Sequence, residues 1–173
     1  MQPSSTELIL IRVTGEDRPG LTSSVTEILA KYDATILDIG QADIHNTLSL
    51  GILFKSEERH SGFIMKELLF KASSLGVTIR FEPITTEQYD NWVGMQGKNR
   101  YILTVLGRKL SARQISAATS VLAEQGMNID AIKRLTGRIP LDECDTDART
   151  RACIEFSVRG TPKDRIAMPE SLM

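Results

Sequence analysis

The chain has 173 residues, a length that fits one domain or two domains of about 80 residues each. Its composition, with 41% apolar and 25% charged residues, is typical of a folded globular protein and excludes disorder and fibrous repeats. A net charge of −1 argues against nucleic-acid binding as the main task, and no apolar run approaches the roughly 20 residues of a membrane span. We therefore expect a cytoplasmic protein that binds neither nucleic acid nor membrane.

The first half of the chain begins with a strand that is followed at once by a helix. The apolar run Leu8–Val13 predicts a strand that is buried on at least one face. Asp17 as the N-cap and Pro19 in the first turn predict the start of the helix. Apolar residues then recur on one helical stripe, at Leu21, Val25, Ile28, Leu29 and Tyr32.

A hairpin, a second helix and a last strand complete this half. Strands are predicted at about 35–45 and 48–54, with a turn at Asn46-Thr47, and a strand at 77–82 ends at Pro83. A helix that ends at the C-cap Gly76 separates the hairpin from the last strand. The order β-α-β-β-α-β predicts an α+β, ferredoxin-like module with both helices on one face of an antiparallel sheet and the other face free.

The same order begins again after residues 85–99, which show no sustained period and are predicted to be a linker with Trp92 as an anchor. At a shift of 93 residues, Ile28 matches Val121 and Ile36 matches Ile129, which indicates a tandem repeat. The predicted elements of the second copy are a strand at 101–106, a helix with a capping box at Ser111 and Gln114, and strands at 128–136 and 152–158.

The second copy departs from the first in two places. Its hairpin loop, residues 137–150, is long and acidic, which is typical of a functional or a disordered loop. A helix start at 161–164 is followed by Pro169 and then by the last residue, so we expect a truncated second helix and no fourth strand. We therefore divide the chain into modules at 7–84 and 100–173, and expect it to be a fragment of a longer protein.

Catalytic motifs are scarce. His45 and His60 have no metal-ligand spacing, and Cys144 and Cys153 lie in no CxxC pair. Phosphate-binding glycine loops and the nucleophile elbow are absent from the sequence. Asp145-Thr146-Asp147 could bind Mg²⁺, or Ca²⁺ together with Asp142, but it lies in a predicted loop rather than after a buried strand, which favours a solvated acidic segment.

The strongest local signal is the segment 15–21, between the first strand and the first helix. A helix N-terminus offers unpaired amides, Gly20 lets a ligand approach the backbone, and Asp17 can accept hydrogen bonds from an ammonium group. A free amino acid carries both of the required charges. The same residues also fit a purely structural role in starting the helix, and the residues alone leave both interpretations open.

Asp17-Arg18-Pro19-Gly20-Leu21 and the element order over residues 7–84 resemble the ACT domain, a small module that senses amino acids. The second copy, from residue 100 onward, resembles it more weakly. Residues 128–140 and 153–164 are similar to the N-terminal tandem ACT region of bacterial phosphoserine phosphatases. That resemblance implies that a catalytic domain of the haloacid dehalogenase type, with bound Mg²⁺, belongs to the full protein and hydrolyses phosphoserine to serine.

For this chain, the resemblance implies an inactive regulatory region without a cofactor, a homodimer that senses serine or glycine. The second copy has Gly107-Arg108-Lys109-Leu110-Ser111 in place of the first copy's turn, so Gly107 keeps backbone access but no acidic residue stands beside it. We therefore expect one site per chain, closed by strand-two residues of a partner module. Its candidate residues are Asp17, Arg18, Pro19, Gly20, Leu21, Asp38, Ile39, Gln41 and Gly107.

Two further interpretations stay open. An open sheet face and free sheet edges are ready association surfaces, which would suit a dimerisation module without a ligand. A free-standing tandem ACT regulator, like those that control glycine cleavage, would act by binding another protein. An ACT pair ahead of a formyltetrahydrofolate hydrolase is a third arrangement, although such enzymes usually carry one copy.

Overall fold

The chain divides into two compact units, Met1–Gly94 and Met95–Met173, each described here by itself. A computed structural model describes residues 5–97, 99–108, 110–138 and 151–163. The division falls inside the segment 85–99. The acidic residues Asp142, Asp145 and Asp147, Cys144 and most of the expected C-terminal helix lie outside the described residues.

The first unit has the predicted element order followed by one more helix. Its four strands form one antiparallel sheet in the order β2-β3-β1-β4, which confirms the ferredoxin-like α+β fold. The elements are β1 (Thr6–Glu16), α1 (Leu21–Lys31), β2 (Thr35–Ile44), β3 (Thr47–Glu57), α2 (Glu58–Leu75), β4 (Thr78–Ile84) and α3 (Thr86–Gln96).

One face of this sheet packs against α1 and α2. Because strand side chains alternate between faces, every second residue of β1 and β3 is buried there, as at Ile11 and Phe54. The stripes of the two helices supply the other half of the core, with Leu29 and Leu68 almost fully buried. Helix α2 ends at Gly76 in the left-handed conformation (φ 67°), as predicted for its C-cap.

Helix α3 is a correction, because its residues were expected to form a linker without regular structure. Thr85 and Gln88 form a capping box: the Gln88 amide donates to Thr85 Oγ1 at 3.1 Å, and the Thr85 amide donates to Gln88 Oε1 at 2.8 Å. Tyr89 and Trp92, one turn apart on α3, are half-buried beside the sheet face that α1 and α2 leave uncovered. That face is therefore partly covered, contrary to the prediction that it stays free.

The second unit repeats the first in its described part. Its sheet has the order β5-β7-β6, which corresponds to β1-β3-β2 of the first unit. Ala118, Leu122 and Phe156 are buried at the centre of its core. The elements are β5 (Arg100–Gly107), α4 (Ala112–Glu124), β6 (Asn128–Arg134) and β7 (Ala152–Arg159).

Both units carry a β-bulge at the same step of the same strand. In the first unit the register of β2 against β3 shifts between Ile36 and Asp38. In the second unit the register of β6 against β7 shifts between Ile129 and Ala131, which is the same step at the repeat spacing of 93 residues. A bulge inserts one unpaired residue and changes which face the following side chains take. The repeat thus extends to an irregularity of the backbone.

A cluster of polar side chains joins the end of α1 to α2. Lys31 Nζ and Tyr32 Oη both donate to Glu67 Oε1, at 2.6 and 2.5 Å. These bonds stabilise the ionised carboxylate, so the Lys31 ammonium and then the Tyr32 hydroxyl lower the pKa of Glu67. The same bond to Glu67 raises the pKa of Lys31.

We expect Glu67→Gln to lower the melting temperature at neutral pH. Because the folded chain lowers the pKa of Glu67, the ionised carboxylate stabilises the fold at any pH above 4.5, the ordinary pKa of this group. That contribution is lost as the pH falls through the lowered pKa, so the difference in melting temperature between the two proteins should shrink in acid. Thermal unfolding followed by circular dichroism across this range measures it.

Glu27→Gln is the control, because Glu27 lies on α1 but accepts a hydrogen bond from the Ser23 hydroxyl rather than from a cation. A difference between wild type and Glu67→Gln that stays constant with pH would contradict the assignment.

Candidate functional site

The segment between β1 and α1 is a type II turn. The Leu21 amide donates to the Arg18 carbonyl at 3.2 Å, and Gly20 has φ 86° and ψ −1°. These angles are those of the third residue of a type II turn, where glycine is favoured because φ is positive, and proline is favoured at the second position, here Pro19. The sequence Arg18-Pro19-Gly20-Leu21 thus encodes this turn directly.

The turn corrects the predicted start of the helix. Helix α1 begins at Leu21 with Gly20 as its N-cap, so Asp17 does not cap it and Pro19 lies before its first turn. Leu21 is buried in the core and fixes the position of the helix start. Asp17 and Arg18 are exposed, and Arg18 forms an ion pair with Glu16 at 3.3 Å.

Two neighbouring segments hold the turn. The Asp17 amide donates to the Asn46 carbonyl at 2.8 Å, at the tip of the β2–β3 hairpin. His45 and Asn46 are the two left-handed residues of that tip (φ 52° and 58°), so the hairpin turn lies one residue before the predicted Asn46-Thr47. On the other side, the backbone at Gly15 packs directly against the Val77 side chain. A Cβ atom at Gly15 would lie 2.6 Å from Cγ1 of Val77, so only glycine fits at this position.

The start of α1 offers unpaired donors. The Ser24 amide is the first to bond within the helix, to the Gly20 carbonyl at 2.9 Å. Within the described part of the chain, the amides of Thr22 and Ser23 have no acceptor, and glycine has no side chain with which to cap them. A bound anion is favoured at such a place by both the free amides and the helix dipole.

Gln41 on β2 belongs to the same place. The Thr22 hydroxyl donates to Gln41 Oε1 at 2.7 Å, so the side chains of α1 and β2 meet beside the turn. Ile39 pairs with Ile52 and lies on the same face of the sheet, with 49% of its surface exposed. The turn, the start of α1 and Gln41 together form what we call the β1–α1 site.

Two of the predicted site residues lie elsewhere. Asp38 pairs with Leu53 and, because of the bulge, faces the side of the sheet opposite to Ile39 and Gln41. Its Oδ1 accepts a hydrogen bond from the Ile39 amide at 3.0 Å. Gly107 ends β5 in the second unit, where it pairs with Ala152.

The second unit caps the corresponding helix start with one of its own side chains. Ser111 Oγ accepts from the Gln114 amide at 3.2 Å, and Gln114 Oε1 accepts from the Ser111 amide at 2.9 Å. This confirms the predicted capping box of α4. The capping box therefore occupies the third amide of α4, that of Gln114, whereas no acceptor among the described residues binds the third amide of α1, that of Ser23.

Thr22 and Asn46 lie at this site although the sequence does not predict them as site residues. Thr22 follows directly after Leu21, and a hydroxyl in the first turn of a helix is a signal that could have indicated it. Asn46 contributes only its carbonyl group, so no side-chain pattern identifies it.

Among residues 5–97, 99–108, 110–138 and 151–163, no three His, Cys, Asp or Glu side chains lie together as a metal site would need. None of the helices in these ranges has both the length and the apolar character that crossing a bilayer requires.

Comparison with protein families places an ACT domain in each unit. ACT domain models match residues 7–82 and residues 100–142. The chain belongs to the ACT domain family. The β1–α1 site, residues 15–23 with Gln41, lies wholly within the first of these ACT domains.

Two bacterial phosphoserine phosphatases are similar in sequence. Phosphoserine phosphatase SerB2 of Mycobacterium tuberculosis is 30% identical over 129 residues, which cover 74% of this chain and 31% of that enzyme. The phosphoserine phosphatase of Streptomyces coelicolor is 31% identical over 160 residues, which cover 92% of this chain and 35% of that enzyme. This chain therefore spans about a third of the length of these relatives.

Solved structures share the ACT fold. An unknown protein from Galdieria sulphuraria has a TM-score of 0.67 at 21% identity, and the match covers 89% of this chain and 82% of that protein's chain. A proposed glycine cleavage system transcriptional repressor has a TM-score of 0.61 at 14% identity, and the match covers 89% of this chain and 80% of that protein's chain. At these identities the likeness concerns the fold alone.

We expect Gly20→Ala to destabilise the chain by about 1 kcal/mol or more, because alanine at a positive φ is strained. No heavy atom lies within 4 Å of a Cβ built at Gly20, so the loss would come from the backbone and not from a clash. Gly40→Ala, which is equally open but lies in a strand, is the matched control and should be close to neutral. Denaturant unfolding of both variants measures the difference, and equal stabilities would contradict the type II turn.

Proposed function

We propose that this chain is the regulatory region of a phosphoserine phosphatase and that its first ACT domain binds a small amino acid, serine or glycine, at the β1–α1 site. The observation that carries the proposal is the open start of α1 beside the exposed carboxylate of Asp17. The sequence similarity to two phosphoserine phosphatases supports the parent enzyme.

The ligand's carboxylate would bind at the start of α1. The amides of Thr22 and Ser23 are the donors, and the positive end of the helix dipole favours the negative charge. Gly20 leaves room for the approach, since a Cβ built there would meet no heavy atom within 4 Å.

The ligand's ammonium group would bind on the other side of the turn. Asp17 offers a carboxylate there, and Gln41 offers an amide oxygen that already accepts from Thr22. A small side chain suits a site built mainly from backbone groups, which favours serine or glycine over larger amino acids. The charges of the two ends of the site thus complement those of a zwitterion.

The exposed edge strand β2 suggests how binding couples to assembly. Ile36, Ile39 and Ile44 are 42%, 49% and 73% exposed along this strand. A second copy docked there would cover these side chains and close the site beside Ile39 and Gln41. Because the ligand would bind the docked arrangement more tightly than the undocked one, its binding would favour docking. The coupling free energy in such cases is typically about 1–3 kcal/mol.

The second ACT domain is proposed to bind no equivalent ligand. Its helix α4 is capped by Ser111, and the segment 107–111, which takes the place of the first domain's turn, contains no acidic residue. We also propose that the parent protein is cytoplasmic, that it hydrolyses phosphoserine with Mg²⁺ in its catalytic domain, and that this region holds no cofactor.

Calorimetric titration with L-serine and glycine tests the ligand. We expect saturable heat with serine, and none with N-acetylserine or serinamide, which lack the ammonium and the carboxylate charge respectively. Asp17→Ala should weaken binding by roughly tenfold, the loss of one charge-assisted hydrogen bond, without lowering the melting temperature of the free chain, because Asp17 does not cap α1. Asp90→Ala, an exposed acidic residue on α3, is the control.

Sedimentation with and without serine tests the coupling. A dimer that does not respond to serine, together with no heat at millimolar ligand, would contradict sensing and favour the alternative of a dimerisation module without a ligand. The exposed isoleucines of β2 support that alternative, because they could form a dimer interface without any ligand.

A further inference from the structure

The first unit has a cleft on the face of its sheet that α1 and α2 do not cover. One wall consists of one side chain from each of the four strands, and the other consists of side chains of α3. Its volume is about 320 Å³, at the lower end of the about 300–1,000 Å³ of small-molecule sites. It is lined by Leu10, Asp38, Leu53, Ile84, Gln88, Tyr89 and Trp92.

The strand wall is a continuous row of side chains. Leu10 pairs with Leu53, and Leu53 pairs with Asp38, so the three side chains lie side by side across β1, β3 and β2. Leu53 is only 8% exposed although it faces away from α1 and α2. On the facing wall, the rings of Tyr89 and Trp92 lie 5.9 Å apart. The body of the cleft is therefore apolar and aromatic.

Asp38 is the only carboxylate among the lining residues. One of its oxygens accepts from the Ile39 amide at 3.0 Å, which leaves the second oxygen available. Within the described part of the chain, no lysine, arginine or histidine lies within 4.0 Å of this carboxylate. The other polar group, Gln88 Oε1, already accepts from the Thr85 amide.

We propose that this cleft binds a primary amine that carries an aromatic body. The ring would pack between Leu10 or Leu53 and the side chains of α3, and the ammonium group would donate to Asp38. Aromatic walls add to this preference, because the faces of tryptophan and tyrosine attract cations. No positively charged side chain lines the cleft, so a free amino acid would leave its carboxylate unpaired there.

The second unit provides an internal comparison. The positions that correspond to Leu10, Leu53 and Asp38 are Ile102, Ser157 and Ala131, which pair across β5, β7 and β6 in the same way. Ile102 is 61% exposed, and this row contains no carboxylate. Amine binding is therefore assigned to the first unit.

The intrinsic fluorescence of the chain is a direct probe, because Trp92 is its only tryptophan. Phenylethylamine is titrated into the full chain, with phenylethanol as the neutral analogue and phenylalanine as the zwitterion. We expect a saturable change in the emission of Trp92 with the amine, and at least roughly tenfold weaker binding of the alcohol and of phenylalanine.

Asp38→Asn tests the carboxylate, because asparagine keeps an oxygen for the Ile39 amide but loses the charge. We expect it to weaken amine binding by roughly tenfold. Asp43→Asn is the matched control: Asp43 is exposed on the same strand and pairs with Leu48, which puts it on the opposite face. Calorimetry repeats both titrations without relying on the fluorophore.

Absence of a saturable signal with millimolar phenylethylamine in both measurements would overturn the proposal. Equal affinities for the amine and the alcohol in the wild-type chain, or an unchanged affinity in Asp38→Asn, would also overturn it. The result is independent of the β1–α1 site, because Asp17→Ala should leave amine binding unchanged and Asp38→Asn should leave serine binding unchanged.

Discussion

The alternation of side chains along each strand decides which residues of a unit can meet. In β2 this alternation is interrupted once, by the bulge between Ile36 and Asp38. Without it, Ile36 and Asp38 would face the same side of the sheet, and Ile39 would face the other. With it, Ile36 and Ile39 both face the side of α1 and α2, and Asp38 faces α3. One extra residue thus gives the first unit two chemically different surfaces, one beside α1 and one beneath α3.

The two copies differ most clearly in how their first helix begins. In the first unit a type II turn ends at Gly20, which has no side chain and leaves the amides of Thr22 and Ser23 open. In the second unit the Ser111–Gln114 capping box supplies an acceptor from within the chain to the amide of Gln114. An amide without an acceptor favours a bound anion, so the capping box removes from α4 a donor that the corresponding position of α1 keeps. The two copies therefore differ in which amides at the helix start are left without an acceptor.

Local sequence patterns identified most of the fold. The stripe of α1, the C-cap Gly76 of α2 and the capping box of α4 depend on residues close together in the chain, and their predictions are confirmed. Helix α3 was missed because its apolar content is limited to a few residues such as Tyr89 and Trp92, although Thr85 and Gln88 already carried the signal of a capping box. Asp17 is not the N-cap, because the type II turn that Pro19-Gly20 forms puts Gly20 directly before the helix.

The site was only partly predictable, for the same physical reason. Residues 17–21 lie in one turn, so their sequence indicates their geometry. Asp38 and Gln41 were grouped by closeness in sequence, and only the pairing of β2 with β3 reveals that they lie on opposite faces. The spacing of three between Ile36 and Ile39, repeated at Ile129 and Ile132, is the trace that such a bulge leaves in a sequence.

The hairpin tip of the first unit limits how that copy can diverge. Two residues, His45 and Asn46, join β2 to β3, and the Asn46 carbonyl anchors the amide of Asp17. An insertion at this tip would withdraw the carbonyl and loosen the turn that precedes α1. In the second unit the chain from residue 135 to residue 151 joins the corresponding strands, and the capping box of α4 does not depend on it. The first unit thus ties the start of its helix to the length of a hairpin tip, whereas the second unit fixes its helix start with side chains that are close to it in the sequence.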